Sequence, residues 1–403
     1  VLDKPAPVLS NASSMSLHSS DQSLVVLQVT PALDAGGVER TTLEIAEAIV
    51  KAGGRALVAS RGGRLEPELA SLGGELFPMP LESKNPLVMF ANARRIAALA
   101  KREGVRIIHA RSRAPAWSAL FAARWLKLPF VTTYHGVYNG RRGLKRFYNS
   151  VMARGDIVIA NSLYTRAHVQ RVHHMPDNRL IAIPRAVDLT RFSPMDVGAD
   201  RVAAMRAHWR IAPDDIRPIL LAPARLTRWK GQGLFLEAAA RLNEERPGAA
   251  HFVIAGDAQG RDAYVRELED FISHRGLTGL AHIVGHLTDM PAALAAARVA
   301  VFPTTDPEAF GRAAIEAQAM GVPVLAAAHG GFTETIRDGE TGFLVPPGEA
   351  QALHHAMRRV LDMTDGQRSA IGQTGAAHVR QIYSVAALQT ATLDVYRRLL
   401  GYR

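Results

Sequence analysis

Two glutamates, Glu308 and Glu316, flank seven residues within the stretch PEAFGRAAIEAQAMGVPV, 307 to 324. The first sits in a loop after the apolar run VAVFP (299–303). The second sits among Ala313, Ala314, Ile315, Ala317 and Ala319, on a helix that should begin near Gly311 and Arg312. A carboxylate in such company is costly unless it is hydrogen-bonded, and the paired hydroxyls of a ribose would satisfy it. Spacing alone leaves open that Glu316 lies on an exposed stripe with Arg312 and Gln318. The first turn of that helix carries free amides and the positive end of the dipole, so Phe310 and Gly311 can offer N–H groups to a phosphate.

A second loop, in LLAPARLTRWKGQG (220–233), puts Arg225 and Lys230 after a strand, with Gly231 and Gly233 opening the next helix. Two cations beside a Gly-rich helix start suit a diphosphate, although the Walker pattern is absent. IAGDAQGR (254–261), with Gly256 and Asp257, and IVGHLTDM (283–290), with Leu287, are further strand-end loops that can lie against a nucleobase. In the first half, Gly36 and Gly37 of GGVER let backbone approach a ligand closely. His135, in VTTYHG (131–136), ends a strand where an imidazole can bond a sugar hydroxyl or a reacting group. The remaining histidines lack metal-ligand spacing, and neither H-E-x-x-H nor G-x-S-x-G occurs. No metal or cofactor is indicated.

The elements that must hold these loops alternate regularly. SLVVLQVT, ALVAS, RIIHA, FVTTYH, DIVIAN and LIAIP read as strands, with helices between them such as 88–103 and 115–126. The stretch 186–202 reads as loop. A second series follows, with PILLAPA, HFVIAG, AHIVG, VAVFP and PVLAA as strands and helices near 231–245, 261–275, 290–297 and 312–320; helices near 349–363, 366–380 and 385–400 end the chain. Such alternation predicts an α/β fold with parallel sheets covered on both faces, built twice. Ligands in such sheets sit at the carboxyl ends of strands, where every loop above lies.

The 403 residues are 48% apolar and fit two cores. There is no cysteine, which removes disulfides and thiol chemistry and fits a reducing compartment. No apolar run approaches the ~20 residues of a membrane span. Residues 1–22, rich in Ser, read as a disordered leader. The net charge of +11 is lopsided: residues 1–200 hold 26 Lys+Arg against 16 Asp+Glu, leaving only +1 for the remainder. A basic half beside a neutral one points to an anionic partner.

In their order along the chain, GGVER, TTYHG, RLTRWKG, PEAFGRAAIEAQAMGVPV and GGFTETIRDGETGFLVPPG resemble the retaining, GT-B-fold sugar-nucleotide transferases of glycosyltransferase family 4. The resemblance runs from about residue 24 to 400. It implies two Rossmann-like domains facing across a cleft: 23–195 for the acceptor, 196–380 for the nucleotide sugar, and a C-terminal helix (381–403) crossing back to the first domain. It implies that Arg225 and Lys230 hold the donor diphosphate and Glu316 the ribose, and that Glu308 and His135 meet the donor sugar. Ala309, Phe310 and Gly311 would line the phosphate or sugar, Gly36 and Gly37 would face the diphosphate, and Leu287 would lie against the base, with Gly256 and Asp257 nearby. The expected reaction moves a sugar from a UDP- or GDP-linked donor to a saccharide or lipid-linked acceptor, without metal, in cell-envelope polysaccharide or lipopolysaccharide synthesis. Within YNGRRGLKRFYNSVMARGD (138–156), Arg141, Arg142, Lys145 and Arg146 mix with aromatics and suit an acceptor at an anionic membrane. The expected location is cytoplasmic, peripheral on the inner face of the cytoplasmic membrane. Competing readings are a sugar-nucleotide epimerase of the same fold or a basic nucleic-acid binder. Against the latter, aromatic content is 6% and no stacking platform or reader motif is visible, so no nucleic-acid partner is expected.

Overall fold

The computed structural model describes residues 24–34, 36–138 and 143–402. The first sheet has seven strands: β1 Val25–Val29, β2 Arg55–Ser60, β3 Glu75–Pro78, β4 Ile107–Ala110, β5 Phe130–Tyr134, β6 Ile157–Ala160 and β7 Leu180–Ala182. Their helices are α1 Gly37–Lys51, α2 Glu66–Ser71, α3 Pro86–Arg102, α4 Arg113–Leu126, α5 Gly143–Ser150 and α6 Leu163–His173. After α7 (Ala199–His208) comes a six-stranded sheet: β8 Ile219–Pro223, β9 His251–Ala255, β10 Ala281–Ile283, β11 Val299–Phe302, β12 Val324–Ala327 and β13 Phe343–Val345. With it run α8 Gln232–Glu245, α9 Asp262–His274, α10 Met290–Ala296, α11 Arg312–Ala319, α12 Phe332–Thr335, α13 Ala350–Asp362, α14 Asp365–Ile382 and α15 Val385–Leu400.

The strand orders are β3-β2-β1-β4-β5-β6-β7 and β10-β9-β8-β11-β12-β13, and all described pairings within both sheets are parallel. Each order reverses direction once, between β1 and β4 and between β8 and β11. Those switch points open a crevice above the strand ends. Burial on both faces explains the near-continuous apolar strands. Along β1, Leu27 and Val29 face one core while Val26 faces the other, as a period of two requires.

Sequence and structure differ at weakly patterned places. The stretch read as loop over 186–202 contains the start of α7, whose helical face has only Met205 buried. The short β3 and β13 carry no alternation long enough to detect. Val187 and Phe192 pack into the core of the second domain. The last helix does cross back. Val187 N–H donates to the Tyr383 carbonyl at 2.9 Å, and Leu388, Leu393, Val395 and Tyr396 of α15 then enter the first core. There the Tyr396 hydroxyl meets Nδ1 of buried His109 at 2.6 Å. Residues 1–22 lie outside the described residues.

Candidate active site

On the second domain, the loop from β11 to α11 is set by contact with the loop before α12. Gly331 N–H donates to the Glu308 carbonyl at 2.7 Å. Gly311, at the α11 N-cap, has φ 86°, and a Cβ there would lie 2.4 Å from the Phe332 ring. Only glycine meets both demands. So held, the Glu308 carboxylate forms an ion pair with Lys230 Nζ, the two side chains being 19% and 16% exposed. Lys230 Nζ also sits 4.3 Å from the Trp229 ring centroid. Arg225 is exposed in the same loop, its carbonyl fixed by Gln232 Nε2 at 2.9 Å. Gly256 N–H donates to Gly285 O at 2.7 Å, and the Asp257 carboxylate accepts from Gln259 N at 2.8 Å. Leu287 is buried in the second-domain core.

Glu316 is not left to solvent or to a ligand alone. Arg312 Nε donates to Glu316 Oε1 at 3.1 Å, and its Nη2 donates to Glu44 Oε1 of α1 at 3.1 Å. One guanidinium thus bridges carboxylates from both domains. Burial raises the Glu316 pKa, and the Arg312 charge opposes it. Buried Glu44 keeps Oε2 without a protein partner. The sequence left Glu316 to be satisfied by ribose hydroxyls; the structure corrects this for Oε1, which the i, i+4 arginine already binds. Gln318 is buried, so no exposed stripe exists. Glu316, Arg312, Gly36, Gly37 and Arg191 line a cavity of about 300 Å³ between the domains.

Across the crevice, Arg185 follows β7. Its Nη2 reaches His135 Nδ1 at 3.2 Å and the His135 carbonyl at 3.2 Å. A guanidinium only donates, so Nδ1 must accept and the imidazole proton sits on Nε2. Burial first, then the charges of Arg185 and Arg111, hold the His135 pKa well below its ordinary value. The neutral ring leaves Nε2–H buried without a protein partner. Burial, followed by the Arg312 charge, pulls Arg185 down to about 10, against Glu308, Glu44 and Glu39. Gly37 lies against this arginine: a Cβ there would lie 1.6 Å from Arg185 Nη1, so the guanidinium would have to move. Arg111, 2% exposed, is held by Gln28 Oε1 at 2.9 Å and has no carboxylate partner among the described residues. Thr30 Oγ1 and the Asn161 amide, just beyond β1 and β6, are also buried and unpartnered. The strand ends of the first domain therefore present positive charge and free polar groups to the crevice.

The family described as Glycosyl transferases group 1 matches residues 206–378, and that described as Glycosyltransferase Family 4 matches 35–191. A glycosyltransferase from Rickettsia africae shares 32% identity and superposes with a TM-score of 0.86, covering 94% of this chain and 98% of its own. The chain belongs to glycosyltransferase family 4. Anabaena Alr3699/HepE, solved in complex with UDP and glucose, has the same GT-B fold at 22% identity and a TM-score of 0.80, over 93% of this chain and 100% of its own. The D-inositol 3-phosphate glycosyltransferase of Geodermatophilus obscurus is 32% identical over 255 residues, 60% of this chain and 54% of that protein. The chain thus spans about half the length of that curated relative.

In this family-4 chain the predicted residues do not all reach the crevice in the expected manner. Glu308 and Lys230 touch, and Arg185 holds His135. The Ala309 carbonyl instead accepts from Ser162 Oγ of the first domain at 2.6 Å, and the buried Phe310 ring packs on Tyr383. Arg141 and Arg142 lie outside the described residues; Lys145 and Arg146 are exposed on α5. Sequence reasoning missed Arg185, Arg312, Glu44 and Glu334. Arg185 had a usable signal, since it directly follows the strand LIAIP. Glu334 lies in the motif GGFTETIRDGETGFLVPPG, but the motif does not disclose its partner: its carboxylate caps α6, accepting from Leu163 N at 2.7 Å and from Tyr164 N.

Proposed function

We propose that the chain transfers a sugar from a UDP- or GDP-linked donor to a saccharide or lipid-linked acceptor, with retention of anomeric configuration and without a metal. The observations that support this reading are the Lys230–Glu308 ion pair at the strand ends of the second domain and the Arg185–His135 pair at those of the first. Cleavage of the sugar C1–O bond builds charge on the departing diphosphate. Lys230, Arg225 and Arg185 are the cations that stabilise it. Glu316 takes the ribose, using the oxygen that Arg312 leaves free. His135 Nε2–H donates to a hydroxyl of the donor sugar. Glu308, committed to Lys230, is better suited to orient that cation and a sugar hydroxyl than to attack carbon. The acceptor oxygen therefore bonds to C1 on the face the diphosphate leaves, and its proton passes to a diphosphate oxygen.

The acceptor docks on the basic first domain, at the cytoplasmic face of a membrane, in cell-envelope saccharide assembly. The curated relatives named for D-inositol 3-phosphate support including phosphorylated polyols among the acceptors tried. Calorimetric titration with UDP, GDP and ADP tests the donor side; binding of none of them overturns the reading. NMR of the product tests the stereochemistry, and an inverted linkage refutes the front-face route.

A further inference from the structure

Three helices of the first domain carry an apolar surface that the transfer chemistry does not use. Leu87 and Phe90 on α3, Phe121 and Trp125 on α4, and Leu144 and Phe147 on α5 are each between 41% and 88% exposed. They are not scattered. Phe90 meets Trp125 edge-on with ring centroids 5.7 Å apart, and Trp125 stacks on Phe121 at 6.4 Å. Phe121 lies 6.1 Å from Trp117, which stacks on Phe147 at 5.0 Å. Through Trp117, itself buried beneath them, the rings connect across all three helices. Contiguous exposed apolar surface of this kind marks an interaction site.

The charge around the row says what the site meets. Residues 83–102, 112–127 and 143–155 contain eleven Lys and Arg and no Asp or Glu. Arg94, Lys127, Lys145 and Arg146 are exposed there without an ion-pair partner among the described residues. Arg154 lies over the Trp117 and Phe147 rings at 5.1 and 5.4 Å. A two-fold contact with a second copy would set this rim against itself, cation on cation. A bilayer with anionic headgroups complements it. Aromatic rings settle at the headgroup boundary, and long cationic side chains reach the lipid phosphates. The inner end of the row adjoins the reaction site: Trp117 Nε1 donates to the Tyr148 carbonyl at 3.1 Å, and Arg113 sits 4.3 Å over the ring of Tyr138, three residues from His135.

We infer that the face of α3, α4 and α5 docks this domain on an anionic lipid surface through the row Phe90–Trp125–Phe121–Phe147. This rests on the reading of the chain as a transferase with a membrane-presented acceptor, and it extends the contact expected at 138–156 to α3 and α4. The test is co-sedimentation of the whole chain with vesicles of phosphatidylcholine, with and without about 30% phosphatidylglycerol. Wild type should bind the anionic vesicles, release as salt rises from ~0.1 to ~0.5 M, and ignore the neutral ones. F121S/W125S should lose about tenfold or more in partitioning even at low salt. R94E/K145E should lose the salt-sensitive part. Equal binding by F121S/W125S, absence of binding by wild type, or a wild-type dimer dispersed by F121S/W125S overturns the inference. Calorimetry with UDP and GDP on the same variants keeps the two ideas apart. Retained nucleotide binding without vesicle binding sinks the docking face alone, and vesicle binding without nucleotide binding sinks the transferase.

Discussion

The Lys230–Glu308 pair makes a prediction whose sign is not obvious. If Lys230 grips the leaving diphosphate, it must divide its donors between that group and Glu308, which already holds it. Two unit charges ~4 Å apart attract by ~4 kcal/mol at an effective dielectric of about 20. Both side chains are less than one-fifth exposed, so desolvation and side-chain ordering take back most of this. A net coupling of ~1–2 kcal/mol in the nucleotide-free protein is expected. A urea-unfolding cycle with K230M, E308Q and the double variant should return that coupling. Nucleotide binding should then split. K230M removes a charge-assisted contact and should weaken UDP or GDP binding about 30-fold, ~2 kcal/mol. E308Q frees the ammonium and removes a like charge, so it should tighten nucleotide binding about three- to tenfold while slowing transfer. Calorimetry with UDP and GDP, beside turnover, reads both. The reasoning is refuted if E308Q weakens nucleotide binding as much as K230M does, or if the cycle closes within ~0.3 kcal/mol.

Replacing Gly37 by Ala puts a methyl group 1.6 Å from Arg185 Nη1, the tip of a flexible side chain that must swing aside, and should cost ~1 kcal/mol of stability; Arg185→Ala in the same chain should restore most of it, as denaturant midpoints would show. Arg312→Ala strands Glu44 and Glu316 together and should destabilise by ~3–5 kcal/mol, with less than half that cost in an E44Q background. Buried His109 and His135 are pushed well below 6.5, chiefly by desolvation. The unfolded chain takes up those protons first, so the stability they contribute is complete above ~6.5 and lost as pH falls, at ~1.4 kcal/mol per pH unit for each ring. The raised Glu39, Glu316 and Glu334 act oppositely, gaining stability on acidification. The histidine share is therefore read from His109→Gln, whose stability-versus-pH slope between pH ~6 and ~5 should be flatter by that amount.

The sheets were legible in the sequence because strands buried on both faces write uninterrupted apolar runs, and the Gly-bearing loops after them mark the crevice. FVTTYH ends at His135, and PILLAPA and VAVFP run directly into the loops that carry Arg225 and Glu308. Glu308 was placed before α11, and Glu316 inside it, from periodicity and a glycine alone. Partners were not legible. Arg312 is four residues from Glu316, and that pairing was open to inspection. Its second partner, Glu44, is 268 residues away and needs the domains assembled. Arg185 stands at a strand end like the other site residues, but no glycine or second polar residue beside it marks that loop. Its task also disguised Gly37, which clears space for a guanidinium as well as for any ligand.

The same long-range contacts explain why the donor loop cannot be treated as belonging to one domain. Ser162 Oγ holds the Ala309 carbonyl next to Glu308, with Thr165 Oγ1 more distant at 3.4 Å. Glu334, two residues after Phe332 in α12, caps the first-domain helix α6. Arg312, in the first turn of α11, binds Glu44 of α1. Each contact originates within a few residues of a glycine that fits the β11–α11 loop against its neighbour. Rotating the domains apart would break a charge-assisted cap, a buried ion pair and a hydroxyl–carbonyl bond, all attached to the element that carries Glu308. The position of the loop that carries Glu308 is thus tied to α1 and the start of α6, on the opposite wall. A donor that bridges both walls adds to those contacts, so its binding and the closure of the crevice reinforce one another.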